Sequence, residues 1–308
     1  MSLYDKVVLK GYKDEPYGIK ETLNDSLEFL YKTYGIRLLF IAVLFAVVGE
    51  LINISYLGYD IWLHGLTEND LPDKSIVDQL LSFIPTILST MFLVDFFKRL
   101  RGESIKFSSI VSDGFKGVFR LIGSSFVFLA AGLFLSLPFT FLFILMPFTS
   151  LLLFPLLFIY IIMANAINYS LVDEVGIPFG FSLRRGYKTV IKNGSFVLRL
   201  LFVFAINFII VWTFENVISI LNNDTTLLIS KIVFSIVNNF AVLNTSAFTA
   251  FSFIYYADPI WPHKYDENYG KFEVNRVNDE IIEDGIRVDD LEEENILEEG
   301  NSSGKDEY

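Results

Sequence analysis

No cysteine occurs anywhere in the 308 residues. That removes disulfide frameworks, thiolate metal sites and cysteine nucleophiles together, and leaves nothing from which to infer a redox compartment. Histidine is nearly as scarce, with His64 and His263 the two in the chain. The topology derived below places them on opposite sides of a membrane, one as a solvated loop residue and one as an interfacial residue, so they cannot share a metal or a proton relay. The His-Glu-x-x-His helix, the phosphate loop, the dinucleotide fingerprint and the nucleophile elbow are all missing. The expectation is a protein with no catalytic, cofactor-binding or metal residues, and no enzyme. Charge is also missing from one long stretch. From Leu121 to Val172, 52 consecutive residues carry none, about 78 Å of helix and far too long for one crossing of a roughly 30 Å hydrocarbon layer.

What fills the chain instead is apolar. Hydrophobic residues make up 53% and charged residues only 19%, against about 25% charged in ordinary soluble domains. The reading is an all-α polytopic membrane protein. Six spans fit the apolar runs: about Ile36 to Ile54, Val77 to Phe97, Leu121 to Phe141, Thr149 to Leu171, Phe196 to Leu221 and Leu228 to Ala257. Pro138 and Pro147 predict a tight hairpin near Phe141 to Phe148. The first apolar helix is expected to act as an uncleaved insertion signal.

Orientation follows from the basic residues of the short loops. Lys98, Arg99, Arg101, Lys106, Lys116 and Arg120 lie between spans two and three, and Arg184, Arg185, Lys188 and Lys192 between four and five. The loop from Ser55 to Ile76 holds only Lys74. The positive-inside rule then puts both termini in the cytoplasm. The net charge of -12 does not disturb this, because Pro259 to Tyr308 carries 16 acidic against 5 basic residues and the rest is nearly balanced. Residues 259–308 read as an acidic, largely disordered cytoplasmic tail, either simply solvated or docking a basic protein partner. A nucleic-acid partner is not expected.

Three segments resemble one another. Starting at Leu23, Val111 and Leu183, apolar residues recur at offsets 0, 4, 7 and 8, one face of a helix. Offset 3 is small each time (Ser26, Gly114, Gly186) and offset 9 basic (Lys32, Arg120, Lys192). Each copy runs into two spans ending near an aspartate, at Asp95, Asp173 and Asp258. The predicted domain plan is a cytoplasmic segment over 1–18, a membrane domain over 19–258, and the tail. Within the membrane domain, three parallel repeats of amphipathic helix plus transmembrane hairpin cover about 19–95, 107–173 and 179–258. Two spans return the chain to the side it left, so the repeats share one orientation, unlike inverted transporter repeats.

The stretch "FSLRRGYKTVIKNGSFVLRLL" is similar to the membrane domain attached to some bacterial glycerophosphodiester phosphodiesterases and to related stand-alone bacterial multi-span proteins. In that group a Ser-led amphipathic helix ending in a basic residue and Asn or Gly leads into a span, as Ser182 to Gly194 does here. The likeness extends over Ile19 to Asp258. It implies a six-helix module of the bacterial cytoplasmic membrane, connected with phospholipids or the envelope, and implies no catalytic residues. The phosphodiesterase domain itself has no counterpart in this chain.

Three candidate groups follow. A helix with one apolar and one basic face lies in the headgroup layer, so Arg184, Arg185, Lys188, Lys192, Lys116, Arg120 and Lys32 are candidate contacts for anionic lipid heads, or else only set topology. Carboxylates at helix C-termini are opposed by the macrodipole, so Asp95, Asp173 and Asp258 are candidate ion pairs. For Asp173, with no basic neighbour within ten positions, the partner must come from elsewhere in the fold. Asn238, Asn239 and Asn244 are where a polar cavity would sit, although such amides commonly join helices. The expected function is a non-catalytic lipid-interacting, envelope-related or membrane-assembly module, with a transporter, channel or accessory subunit of one as the alternative.

Overall fold

The computed structural model describes residues 2–13, 15–64, 83–145, 150–218, 220 and 223–260, and the side chains of 60, 135–145 and 150–157 lie outside that description. The chain divides into two compact units, Met1–Asp258 and Pro259–Tyr308. All expectations for the acidic tail beyond Ile260, His263 included, fall outside the described residues.

The described residues of the first unit form α1 (Leu3–Tyr12), α2 (Ile19–Tyr34), α3 (Arg37–Leu57), α4 (Tyr59–His64), α5 (Phe83–Leu100), α6 (Phe107–Leu145), α7 (Ser150–Asp173), α8 (Phe179–Lys192), α9 (Gly194–Ile218) and α10 (Asp224–Tyr256). No strand occurs among them. Four of the helices are long and apolar enough to cross a membrane over their described residues: Arg37–Leu57, Phe107–Phe134, Gly194–Ile218 and Asp224–Tyr256. Phe158–Asp173 is apolar but shorter over its described side chains. Most of what the four expose is Leu, Ile, Val and Phe, and only 17–22% of each apolar window is buried. Such surfaces need hydrocarbon around them.

Two expected boundaries move. Pro138, one of the two breakers that the sequence predicts, does not end its helix: α6 runs through it to Leu145. Only residues 146–149 separate it from α7, and they lie outside the described residues. A proline removes one backbone hydrogen bond and bends a helix, but need not end it. The amphipathic start of the second repeat was also expected to be a separate element. Instead Phe107 to Leu145 is one helix of 39 residues. The counterpart junctions do break. Gly35 sits at φ +51° between α2 and α3 and closes α2 with its N–H on the Tyr31 carbonyl at 2.8 Å, a conformation glycine adopts at little cost. Asn193, at φ -126° and ψ 84°, separates α8 from α9.

At one end of the bundle the helices close on aromatic side chains. Phe96, Phe97, Phe196, Phe248, Phe251 and Phe253 are fully buried. Phe96 meets Phe29 edge-on at 5.4 Å, Phe251 at 6.2 Å and Phe97 at 6.2 Å, while Phe196 meets Phe253 at 6.2 Å. Pairs of this kind add about 0.5–1.5 kcal/mol each beyond burial. The N-terminal helix α1 packs on α10 and α5 at this end. Its start is set by a capping box in which Ser2 and Asp5 exchange side-chain and backbone hydrogen bonds, an arrangement typically worth about 1 kcal/mol. A smaller cluster of Trp62, Leu63 and Leu227 closes the other end of α3 and α10.

Candidate functional site

The helices α2, α6 and α8 bury an unusual stripe. In α8 the buried residues are Ser182, Arg185, Gly186, Thr189 and Val190, while Phe181, Tyr187 and Ile191 are exposed. The start of α6 buries Gly114, Gly117 and Val118 and exposes Phe107, Phe115 and Phe119. In α2 the buried residues are Thr22, Ser26, Leu30 and Tyr34, with Ile19 and Tyr31 exposed. The three segments agree position by position: offset 3 is buried, offset 7 is buried and offset 8 is exposed each time. Small side chains face the bundle because they let backbones approach closely. A Cβ added at Gly186 would lie 2.5 Å from the Ile167 Cα, and one at Gly114 would lie 2.5 Å from the Met91 Cγ. Accordingly α8 packs on α7, α6 on α5, and α2 on α10.

A buried charge cluster fastens α8 in place. The Asp173 carboxylate, fully inaccessible at the end of α7, accepts from Arg185 Nη1 at 2.7 Å, Arg101 Nη2 at 2.6 Å and the Tyr4 hydroxyl at 2.9 Å. Arg185 also donates from Nε to the Asp258 carbonyl at 2.8 Å and lies over the Phe253 ring. Burial opposes the charge on both arginines, but the Asp173 carboxylate outweighs it and holds their pKa values above the ordinary range. A second carboxylate, Asp95, accepts from Tyr34 at 2.7 Å and from Arg99 Nε at 2.8 Å. The third, Asp258, is exposed and joins the cluster only through its main-chain carbonyl.

The predicted headgroup residues separate. Arg184, Lys192, Lys116 and Lys32 are exposed, the last paired with Glu28, and Lys188 is half-buried. Arg185 does not join them. At 3% exposure it has turned inward to Asp173, in the buried stripe of α8 with Ser182, Gly186 and Thr189. Arg120 is half-buried and donates to the Glu174 carbonyl at 2.8 Å and the Ser182 hydroxyl at 2.7 Å. The asparagines of α10 turn toward helix backbone: Asn239 donates to the Ser235 carbonyl at 2.8 Å, and Asn244 to the Phe240 carbonyl at 2.7 Å while accepting from Tyr31. Asn238 is half-buried.

Two participants escaped the sequence analysis. Tyr4 lies in the segment expected to be outside the membrane domain. Arg199, the one charge inside "FVLRLLFVF", is 4% exposed. Its Nη1 donates to Thr22 at 2.8 Å, its Nη2 to the Tyr17 carbonyl, and the guanidinium lies 4.9 Å from the Tyr256 ring and 5.6 Å from that of Tyr255. A lone arginine at the start of an apolar run was the available signal. Among the described residues no group of His, Asp and Glu could hold a metal ion.

Scanning against family models and searching curated proteins and solved structures returned no match.

Three phenols make stability sensitive to alkali. Burial, and then the carboxylates that accept their protons, raise the pKa of Tyr4 (Asp173), Tyr17 (Asp25) and Tyr34 (Asp95) above the ordinary value of 10.0. The folded state keeps protons that the unfolded chain releases above about pH 10, so stability is fully present below that pH and falls as pH rises further. Each phenol contributes a slope of about 1.4 kcal/mol per pH unit. Denaturation midpoints measured from pH 8 to 11.5 should be flat and then drop, and Tyr34→Phe should make the drop shallower. A midpoint constant to pH 11.5 would refute this.

Proposed function

We propose that this chain is a non-catalytic integral membrane module whose amphipathic helices lie in the headgroup layer and engage phospholipids at the cytoplasmic face. The observation that carries the reading is the inverted stripe of α6 and α8. Phe115, Phe119, Phe181, Tyr187 and Ile191 are exposed beside Lys116 and Arg184, while the opposite faces are locked to the bundle. An apolar face flanked by cations matches the boundary between acyl chains and phosphates, where each basic residue adds about 1 kcal/mol of attraction to anionic lipid. The aromatic packing of Phe96, Phe97, Phe251 and Phe253 fills the bundle at the level of Asp95 and Asp173, which favours a lipid-facing module over a conduit at that level.

The finer architecture belongs to the same proposal. Six spans form three parallel repeats, and the agreement of offsets 3, 7 and 8 supports a common unit. The packing of α2 on α10, α6 on α5 and α8 on α7 then makes each amphipathic helix rest on the last span of the preceding repeat, with the first resting on the third to close a ring. Both termini face the cytoplasm, in a bacterial cytoplasmic membrane, as the basic loops and the resemblance to phosphodiesterase-linked membrane domains imply.

The cysteine-free background permits a clean test with single-cysteine variants. Tyr187→Cys carrying an environment-sensitive fluorophore should be quenched most by lipids brominated near the headgroup. Asp224→Cys should react with a membrane-impermeant maleimide from outside, and Arg184→Cys only from the cytoplasmic side. Quenching by deep bromines alone, or no quenching, would remove the interfacial reading; labelling of Arg184→Cys from outside would reverse the orientation.

A further inference from the structure

One cavity, of about 160 Å³, opens where the last turn of α5, the first turns of α6 and the segment after α7 meet. Its charged lining carries both signs: Lys98, Arg101 and Lys116 against Asp113, Asp173 and Glu174. Asp173 is spent, since its carboxylate is inaccessible and bonded to two arginines and a tyrosine. Asp113 and Glu174 remain reachable, with side chains 23% and 26% exposed, as does Lys116 at 64%. The Arg101 side chain is only 9% exposed, and its Nε–H has no acceptor although its Nη groups meet Asp173, Glu174 and Glu103. A buried donor without a partner is costly, and here it belongs to a cation lining a cavity.

Resting on the interfacial reading above, we propose that this cavity receives the zwitterionic head of an aminophospholipid, a phosphodiester carrying a primary amine. Lys98 and Lys116, which now share Asp113, close on the phosphate, with the positive field of Arg101 behind them. The ammonium takes the Asp113 carboxylate that this releases and the reachable Glu174 carboxylate, which meets Arg101 through Oε2. A purely anionic head would leave those two carboxylates facing added negative charge, and a quaternary amine would bring no N–H donors for them and needs more room. Phe115 and Phe119, exposed on the same helix one residue before and three residues after Lys116, offer the adjoining acyl chains an apolar track. The cavity therefore joins the two parts of one lipid: a mixed-sign pocket for its head and an aromatic ridge for its tails.

The full chain, purified in mild detergent with an equimolar mixture of phosphatidylethanolamine, phosphatidylglycerol and phosphatidylcholine of matched acyl chains, provides the test. Native mass spectrometry should show phosphatidylethanolamine retained in preference to the other two. Lys116→Gln and Glu174→Gln should each reduce that preference by about tenfold, the loss of one charge-assisted hydrogen bond, and Lys116→Gln, at a side chain 64% exposed, should do so with the thermal midpoint of the parent. Equal retention of the three lipids, or preference for phosphatidylglycerol, overturns the assignment even if the bromine quenching at position 187 succeeds, so the two readings fail separately. Soluble phosphoethanolamine in equal excess should fail to displace the lipid; complete displacement would show that the pocket serves a free phosphate ester and overturn the membrane source.

Discussion

Asp173→Asn is expected to lower the stability of the membrane unit by about 3–5 kcal/mol, the cost typical of removing one partner from a buried ion pair. The carboxylate serves two guanidinium groups at 2.6 and 2.7 Å and a phenol at 2.9 Å, and Arg185 and Arg101 are 2% and 9% exposed. Asparagine keeps the shape and loses the charge, so both arginines stay buried facing a neutral amide. Thermal unfolding in detergent, followed by helix content, should show a large downward shift. The double variant Asp173→Leu with Arg185→Met should recover part of the loss, because removing both charges together also removes most of the desolvation cost. A single variant as stable as the parent would mean that the cluster is solvated and does not pin α8.

Gly186→Ala should be nearly as damaging, and for a steric reason. The new methyl would lie 2.5 Å from the Ile167 Cα and 2.8 Å from its backbone nitrogen. Backbone cannot step aside as a side chain can, so α7 and α8 must separate and the Asp173–Arg185 pair must lengthen. Overpacking typically costs about 1–3 kcal/mol, and the strained ion pair adds to it. Gly114→Ala is the control. Its new methyl would meet chiefly the flexible Met91 side chain, 2.5 Å from Cγ, which can rotate away, so the shift in thermal midpoint should be smaller by half or more. Equal shifts for the two variants would contradict this account of helix contact.

The amphipathic segments illustrate how far pattern reading reaches. Apolar offsets 0, 4, 7 and 8 form one helical face, and all three segments are helical. Yet offset 7 is buried and offset 8 exposed each time. Hydropathy could not separate them, because a helix between a bundle and a lipid layer has apolar surroundings on two sides. The division follows size: Ser26, Gly114 and Gly186 mark the contact side, since only small residues admit close backbone approach. Arg185 fell on the wrong side of that division for a related reason. In sequence it is one more cation beside Arg184 and Lys188, and nothing local distinguishes a guanidinium bound for a buried carboxylate from one bound for a phosphate.

By itself, the sequence determined the class of this protein. Long uncharged runs have no stable home except as helices in hydrocarbon, since every backbone polar group must be satisfied within the segment. The lack of cysteine excluded disulfides, thiolate metal sites and thiol nucleophiles in the same way. Only the tertiary structure decided which charges meet. Tyr4 and Asp173, bonded within one cluster, lie 169 positions apart along the chain, and Arg199 reaches back 177 residues to Thr22. Pairings over such separations depend on how helices stack, and stacking is set by the sum of many small steric fits, a quantity that no local pattern of charge or hydropathy encodes.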